Sequence, residues 1–218
     1  MNEQGRLALE VSGSLLRGCY EAAQGVKALV EARQFGGLFA AERAAWEMWR
    51  ELEYFFAAGD VGSSAVKAKA NATIEVLEAL SDDSDAPEDI RVENEKALAE
   101  LESKFGTLVA EVREQRADRR FHWSGQRSRS AIVAAKGTPF HRVYKMLSWE
   151  AHPQLCFIRE ISTEEVGNRT FLRFETSEAD RAFERAAWAV SEYLQRAWNQ
   201  FAAGWGQTQI DFPLSKAP

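Results

Sequence analysis

Tyr144, Ser148 and His152 recur at four-residue spacing, so on a helix their side chains share one face. Two hydroxyls and an imidazole in a row can relay a proton. The same row can equally be a hydrogen-bonded polar seam in which His152 closes a helix end, where an imidazolium is favoured. A second group, Arg43 and Glu47 with Arg50 close behind, lies in a stretch crowded by Phe39, Trp46, Trp49, Tyr54, Phe55 and Phe56. A guanidinium and a carboxylate four residues apart pair along a helix. Set among buried aromatics, the pair is either an ion set that pins the register of a bundle or part of a polar pocket between helices. The third group is the basic run Arg116-Ala117-Asp118-Arg119-Arg120-Phe121-His122-Trp123, followed by Arg127 and Arg129. Arginines near a helix C-terminus are ordinary partners of its dipole. This run is also the one local patch suited to phosphate, with Trp123 placed to stack on a base.

The elements that must carry these groups are helices. Only five prolines occur, none before Pro87, and long stretches are rich in Ala, Leu, Glu, Arg and Lys. A first helix opens at Leu7, Val11, Leu15 and Leu16 and runs toward Arg33. Gly36-Gly37 breaks it, and the aromatic helix that follows pairs antiparallel with it and stops near Gly59. Leu38, Ala45, Trp49, Leu52 and Phe56 share one face of that helix. A third helix runs from about Ser64 to Leu80. The acidic loop 81–89 carries a helix-start signature, Asp85 with Glu88 three residues later and Pro87 between. Helix four extends to about Arg116 through Leu98, Leu101, Phe105, Leu108 and Val112, and Phe121–Gly125 forms a loop. Short helices are expected over 128–135 and 140–150, the latter ended by Pro153. Segments 155–161 and 170–174 alternate apolar and polar residues about Gly167-Asn168, as in a small hairpin. A last helix spans Glu178 to about Ala203, and 206–218 is a loose tail. The expected fold is all-α, a bundle of six to seven helices in a single domain over 1–218, with one small β-hairpin near 155–174.

Composition bounds the rest. At 218 residues the chain can bury a sizeable core. A formal charge of −6 disfavours broad binding to nucleic acid or a membrane surface and leaves room for a local basic patch. Cys19 and Cys156, far apart and alone, suit a reducing cytoplasm. The first residues lack the apolar core of a signal peptide, and no apolar run is long enough to cross a membrane. His122, His141 and His152 have no zinc-ligand spacing, and neither a phosphate-cradling glycine loop nor a nucleophile elbow occurs. No metal and no cofactor is therefore expected.

Arg43-x-x-x-Glu47 leading to Tyr54, then Trp123, then Tyr144-x-x-Leu147-Ser148-x-x-x-His152-Pro153, resembles an uncharacterised all-helical bacterial family known as a domain of unknown function. The resemblance covers about Gly37 to Pro153, and the family is in turn similar to the wider group of HEPN-like helical proteins. The resemblance implies a bacterial cytoplasmic setting connected with stress or phage defence. It also implies a metal-independent ribonuclease pattern, an arginine followed four to six residues later by a histidine, which Arg116 and His122 match. In that chemistry His122 serves as acid or base on a ribose hydroxyl, Arg116 stabilises phosphorane charge, and Tyr144 or His152 assists. Ala117 departs from the family's polar residue after the arginine.

Three readings follow. The first is a helical interaction module with Arg43 and Glu47 as pocket or register element, Trp123 and Ser148 completing the binding surface. The second is a HEPN-like ribonuclease, acting on RNA held along Arg116–Arg129. The third is a structural subunit of a homo-oligomer, anchored by Trp188 and Trp198.

Overall fold

Ala8, Ser12, Leu15, Cys19, Ala23 and Val26 recur every three or four residues, and in the computed structural model they form a buried stripe along helix α1 (Glu3–Glu31). The structure describes residues 2–34, 37–81, 87–127, 161–166, 169–174 and 176–206. Four more helices follow, α2 (Leu38–Ala57), α3 (Val61–Ser81), α4 (Glu88–Ala117) and α5 (Thr176–Gly204). Two strands, β1 (Ile161–Val166) and β2 (Arg169–Phe174), pair antiparallel from Ile161 opposite Phe174 to Val166 opposite Arg169. The framework is all-α. Among the described residues it has five helices where sequence periodicity led us to expect six to seven. The short helices expected over 128–135 and 140–150 lie outside the described residues, as do the tail from 207 and all but Ile161 of segment 155–161.

Contacts gather the chain into two compact units, one of Met1–Ser14 with Tyr54–Ile132, the other of Leu15–Glu53 with Val133–Pro218. Helices α1 and α2 each contribute a stretch to both.

In the first unit α3 starts beside α1, since a Cβ built on Gly62 would stand 3.1 Å from Gln4 Cβ. Asp60 caps α3 by accepting the Ser63 N–H at 3.0 Å. Asp85, the first residue of the helix-start signature, lies outside the described residues, and α4 begins at Glu88. Pro87 occupies the cap position of α4 and has no side chain to bond the free N–H groups, so Glu88 and Asp89 complement the dipole instead. Nor is α4 one straight helix, because Phe105 leaves helical geometry at φ −136°, ψ 37°. Eleven residues of straight helix would separate Glu102 from Arg113 by about 16.5 Å at the Cα atoms, yet their side chains pair. Lys104 reaches Glu3, Glu111 reaches Lys67, and Arg116 reaches Asn71 and Glu78. Partners along α3 and along the second half of α4 thus advance together, and after Phe105 the chain runs parallel to α3.

In the second unit the facing pairs Gly18–Met48, Gly25–Ala41 and Leu29–Gly37 step one for one in opposite directions, so α1 and α2 are antiparallel as expected. The break between them falls at Gly37, whose φ of +87° suits glycine. Helix α5 meets α2 at Phe39, Glu42 and Trp49 through Arg185, Tyr193 and Arg196, and therefore runs parallel to it. Leu38, Phe39, Ala45, Trp46, Trp49 and Leu52 of α2 are buried, with Phe183, Ala186, Ala189 and Val190 of α5.

Candidate functional site

Arg116 stands in the last turn of α4, where the chain leaves the helix by a Schellman exit. Arg120 N–H bonds Gln115 O at 2.8 Å, Arg119 N–H bonds Arg116 O at 2.9 Å, and Arg119 takes the left-handed conformation, φ +58°. Inside this exit the Arg116 side chain is only 8% exposed. Its Nη1 donates to Asn71 Oδ1 at 2.8 Å, its Nε to Glu78 Oε1 at 3.2 Å, and its Nη2 to Glu78 Oε2. The same guanidinium lies 5.3 Å from the centre of the Phe121 ring. It therefore joins α3, α4 and the following loop, and its planar fork is engaged by a carboxylate and an amide. Asn71 is buried in this contact.

The loop itself is a tight turn. Gly125 N–H bonds His122 O at 2.8 Å, His122 N–H bonds Gln126 O at 3.1 Å, and Gly125 adopts φ +79°. His122 and Trp123 turn inward. His122 Nδ1 accepts the Ser124 N–H at 3.2 Å and lies 2.9 Å from Ser124 Oγ. With Nδ1 as acceptor, the neutral ring carries its proton on Nε2. Trp123, expected to be free for base stacking, is 6% exposed and meets Phe55 edge-on at 5.8 Å and Tyr54 at 5.7 Å. The aromatic side chain that the basic run leaves in solvent is Phe121.

In the second unit Arg43 Nε donates to Glu47 Oε1 at 2.8 Å, the spacing that the sequence indicated. This bond lies within α2 and by itself fixes no register between helices. The bridges between helices are elsewhere. Arg33, itself left-handed at a Schellman exit of α1, pairs with Asp180 and lies over Phe183 at 5.8 Å. Arg185 pairs with Glu42 at 3.5 Å and lies 5.1 Å over Phe39. Next to them Tyr193 stacks on Trp49 at 5.6 Å with planes 9° apart, and Arg50 and Arg196 lie over Trp49 at 5.4 and 5.2 Å.

Burial sets the electrostatics here. It pushes the Tyr193 phenol up to about 12, with Glu42 adding to the rise and Arg185 and Arg196 opposing it. It pulls the Arg50 guanidinium below its ordinary value and pushes the Cys19 thiol up to about 12. Phenol and thiol thus stay protonated at neutral pH.

Glu42 and Arg185 are the charged pair that sequence inspection overlooked. The signal for Glu42 was present, because it falls in the stripe of Leu38, Ala45 and Trp49 and occupies a core slot. Tyr144, Ser148 and His152 lie outside the described residues. Among the described residues no three His, Cys, Asp or Glu side chains gather to hold a metal ion, and no helix is long and apolar enough to cross a membrane. No protein-family model, no curated protein and no solved structure matches the chain.

Proposed function

We propose that this chain is a helical interaction module that associates with a protein partner, a second copy of itself first of all, through the solvent face of α5 with Trp188 as anchor. The observation that carries this reading is the exposure of Trp188. Its side chain is 49% exposed near the middle of α5, whereas Trp46, Trp49 and Trp123 are buried. Arg181, Glu184 and Ser191 stand on the same face, each exposed and one or two turns away. A large aromatic ringed by polar groups is the common form of an interface anchor. Trp198 is also exposed on α5.

The ribonuclease reading has less support. Arg116 is engaged by Glu78, Asn71 and Phe121, and His122 is buried in its turn. A role in bacterial stress or phage defence belongs to this proposal through the HEPN-like resemblance.

Sedimentation velocity at two concentrations tests the reading. Wild-type protein is expected to show a mass above one chain that grows with concentration, and Trp188→Ala to remain a single chain. Wild-type protein that stays a single chain at both concentrations, or a Trp188→Ala variant that associates as wild type does, overturns it.

A further inference from the structure

We infer that the corner after α4 binds single-stranded nucleic acid, one base lying on Phe121 and the neighbouring phosphates meeting Arg119 and Arg127. This stands on residues other than those of the α5 proposal and does not depend on it.

Phe121 is 50% exposed, although His122 and Trp123 beside it are buried. The ring is propped in place. Arg116 lies 5.3 Å from its centroid, and that guanidinium is itself fixed by Glu78 and Asn71. An exposed aromatic held against a fixed cation is a platform ready to stack.

The backbone brings the phosphate partners to the same place. The His122 N–H bond to Gln126 O closes a chain reversal, so Phe121 and Arg127 are the residues that follow on its two arms. The helix exit sets Arg119 two residues ahead of the ring, outside the helix. Arg113, Arg116 and Arg120 are paired with Glu102, Glu78 and Asp118. Arg119 and Arg127 are exposed and have no ion-pair partner among the described residues. With the acids that pair with them, Glu102, Glu78 and Asp118, and with Glu114, the five arginines of 113–127 face four acids, a small positive excess in a chain whose formal charge is −6. The local field at this corner therefore favours an anion that the rest of the surface disfavours.

The ring decides which anion. An acidic peptide would use the guanidinium groups and leave Phe121 idle. A double helix keeps its base faces stacked on each other. A single strand offers open base faces and phosphates together.

The experiment is fluorescence anisotropy on the full chain with short labelled oligouridine, oligothymidine and a duplex of matched length. Two free guanidinium groups imply weak binding with a salt slope, log K against log salt, of about −1.4. Phe121→Ala is expected to weaken binding by roughly tenfold or more, while Phe121→Trp retains it. Arg127→Ala, a change at an exposed position, is expected to reduce the slope by about 0.7. Binding of one strand type alone supports the inference and shows whether the 2′-hydroxyl matters. The inference is overturned by absence of binding, by duplex bound as tightly as single strands, or by wild-type affinity in Phe121→Ala or an unchanged slope in Arg127→Ala.

Discussion

Glu42 and Arg185 stand 143 positions apart in sequence and meet at 3.5 Å, the carboxylate buried and the guanidinium lying over Phe39. Removing one member of a buried pair leaves a charge without that compensation, which costs about 3–5 kcal/mol when both members are fully buried. Arg185 is partly exposed, so Arg185→Ala is expected to cost less, roughly 2–3 kcal/mol. Adding Glu42→Gln to that variant is expected to restore part of the loss, since an amide buries more cheaply than a carboxylate. Urea unfolding of the two single variants and the double variant checks this, and strict additivity would rule out coupling.

Tyr193 gives the second unit an alkaline limit. Its phenol ionises near 12 in the folded chain against about 10 unfolded. A raised acid contributes nothing unfavourable below the unfolded value, and its folded state loses ground as pH rises from about 10 through about 12. Tyr193→Phe keeps the stack on Trp49 and is expected to flatten the fall in melting temperature over that window. An identical alkaline fall in wild type and variant would assign it to other groups.

Asp60 acts at the acid end. The Ser63 N–H holds its carboxylate below the usual value of 3.8. Stability from this cap is present above that value and disappears as pH falls through the lower folded one. Asp60→Ala is expected to cost about 1 kcal/mol at neutral pH, whereas Asp60→Asn keeps the cap and loses its share of the pH dependence. Thermal melts at neutral and acid pH separate the two variants.

Arg119 occupies a backbone conformation that glycine adopts without the usual Cβ penalty, φ +58°. Arg119→Gly is expected to stabilise the chain by roughly 0.5–1 kcal/mol while weakening any phosphate contact at the corner. A lower denaturant midpoint in Arg119→Gly would mean that the arginine side chain contributes more than its backbone strain removes.

Local patterns were the readable part of this chain. Helical spacing of Leu38, Ala45, Trp49 and Leu52 disclosed the buried face of α2, and Gly36-Gly37 marked the turn that sets α1 and α2 antiparallel. The bond between Arg43 and Glu47 was legible because both ends lie in one window. Long-range partners were not. Nothing near Arg116 names Glu78 or Asn71, and nothing near Glu42 names Arg185. The kink at Phe105 had only Gly106 as a local sign, since its apolar residue continues the helical pattern. Trp123 and Phe121 are equivalent by type, and only the turn from His122 to Gln126 decides that the tryptophan goes inward and the phenylalanine stays out.

Arg116 is where structure and catalysis make opposite demands, so its removal tests most directly whether this arginine builds the fold. Equilibrium unfolding of Arg116→Ala should show a loss of about 2 kcal/mol, because Asn71 Oδ1 is left buried without that donor. Arg116→Lys should recover little of it, since an ammonium cannot reproduce the fork that meets Glu78 and Asn71 together. An Arg116→Ala protein with wild-type stability would contradict the structural role and return the residue to the chemistry that its spacing to His122 first implied.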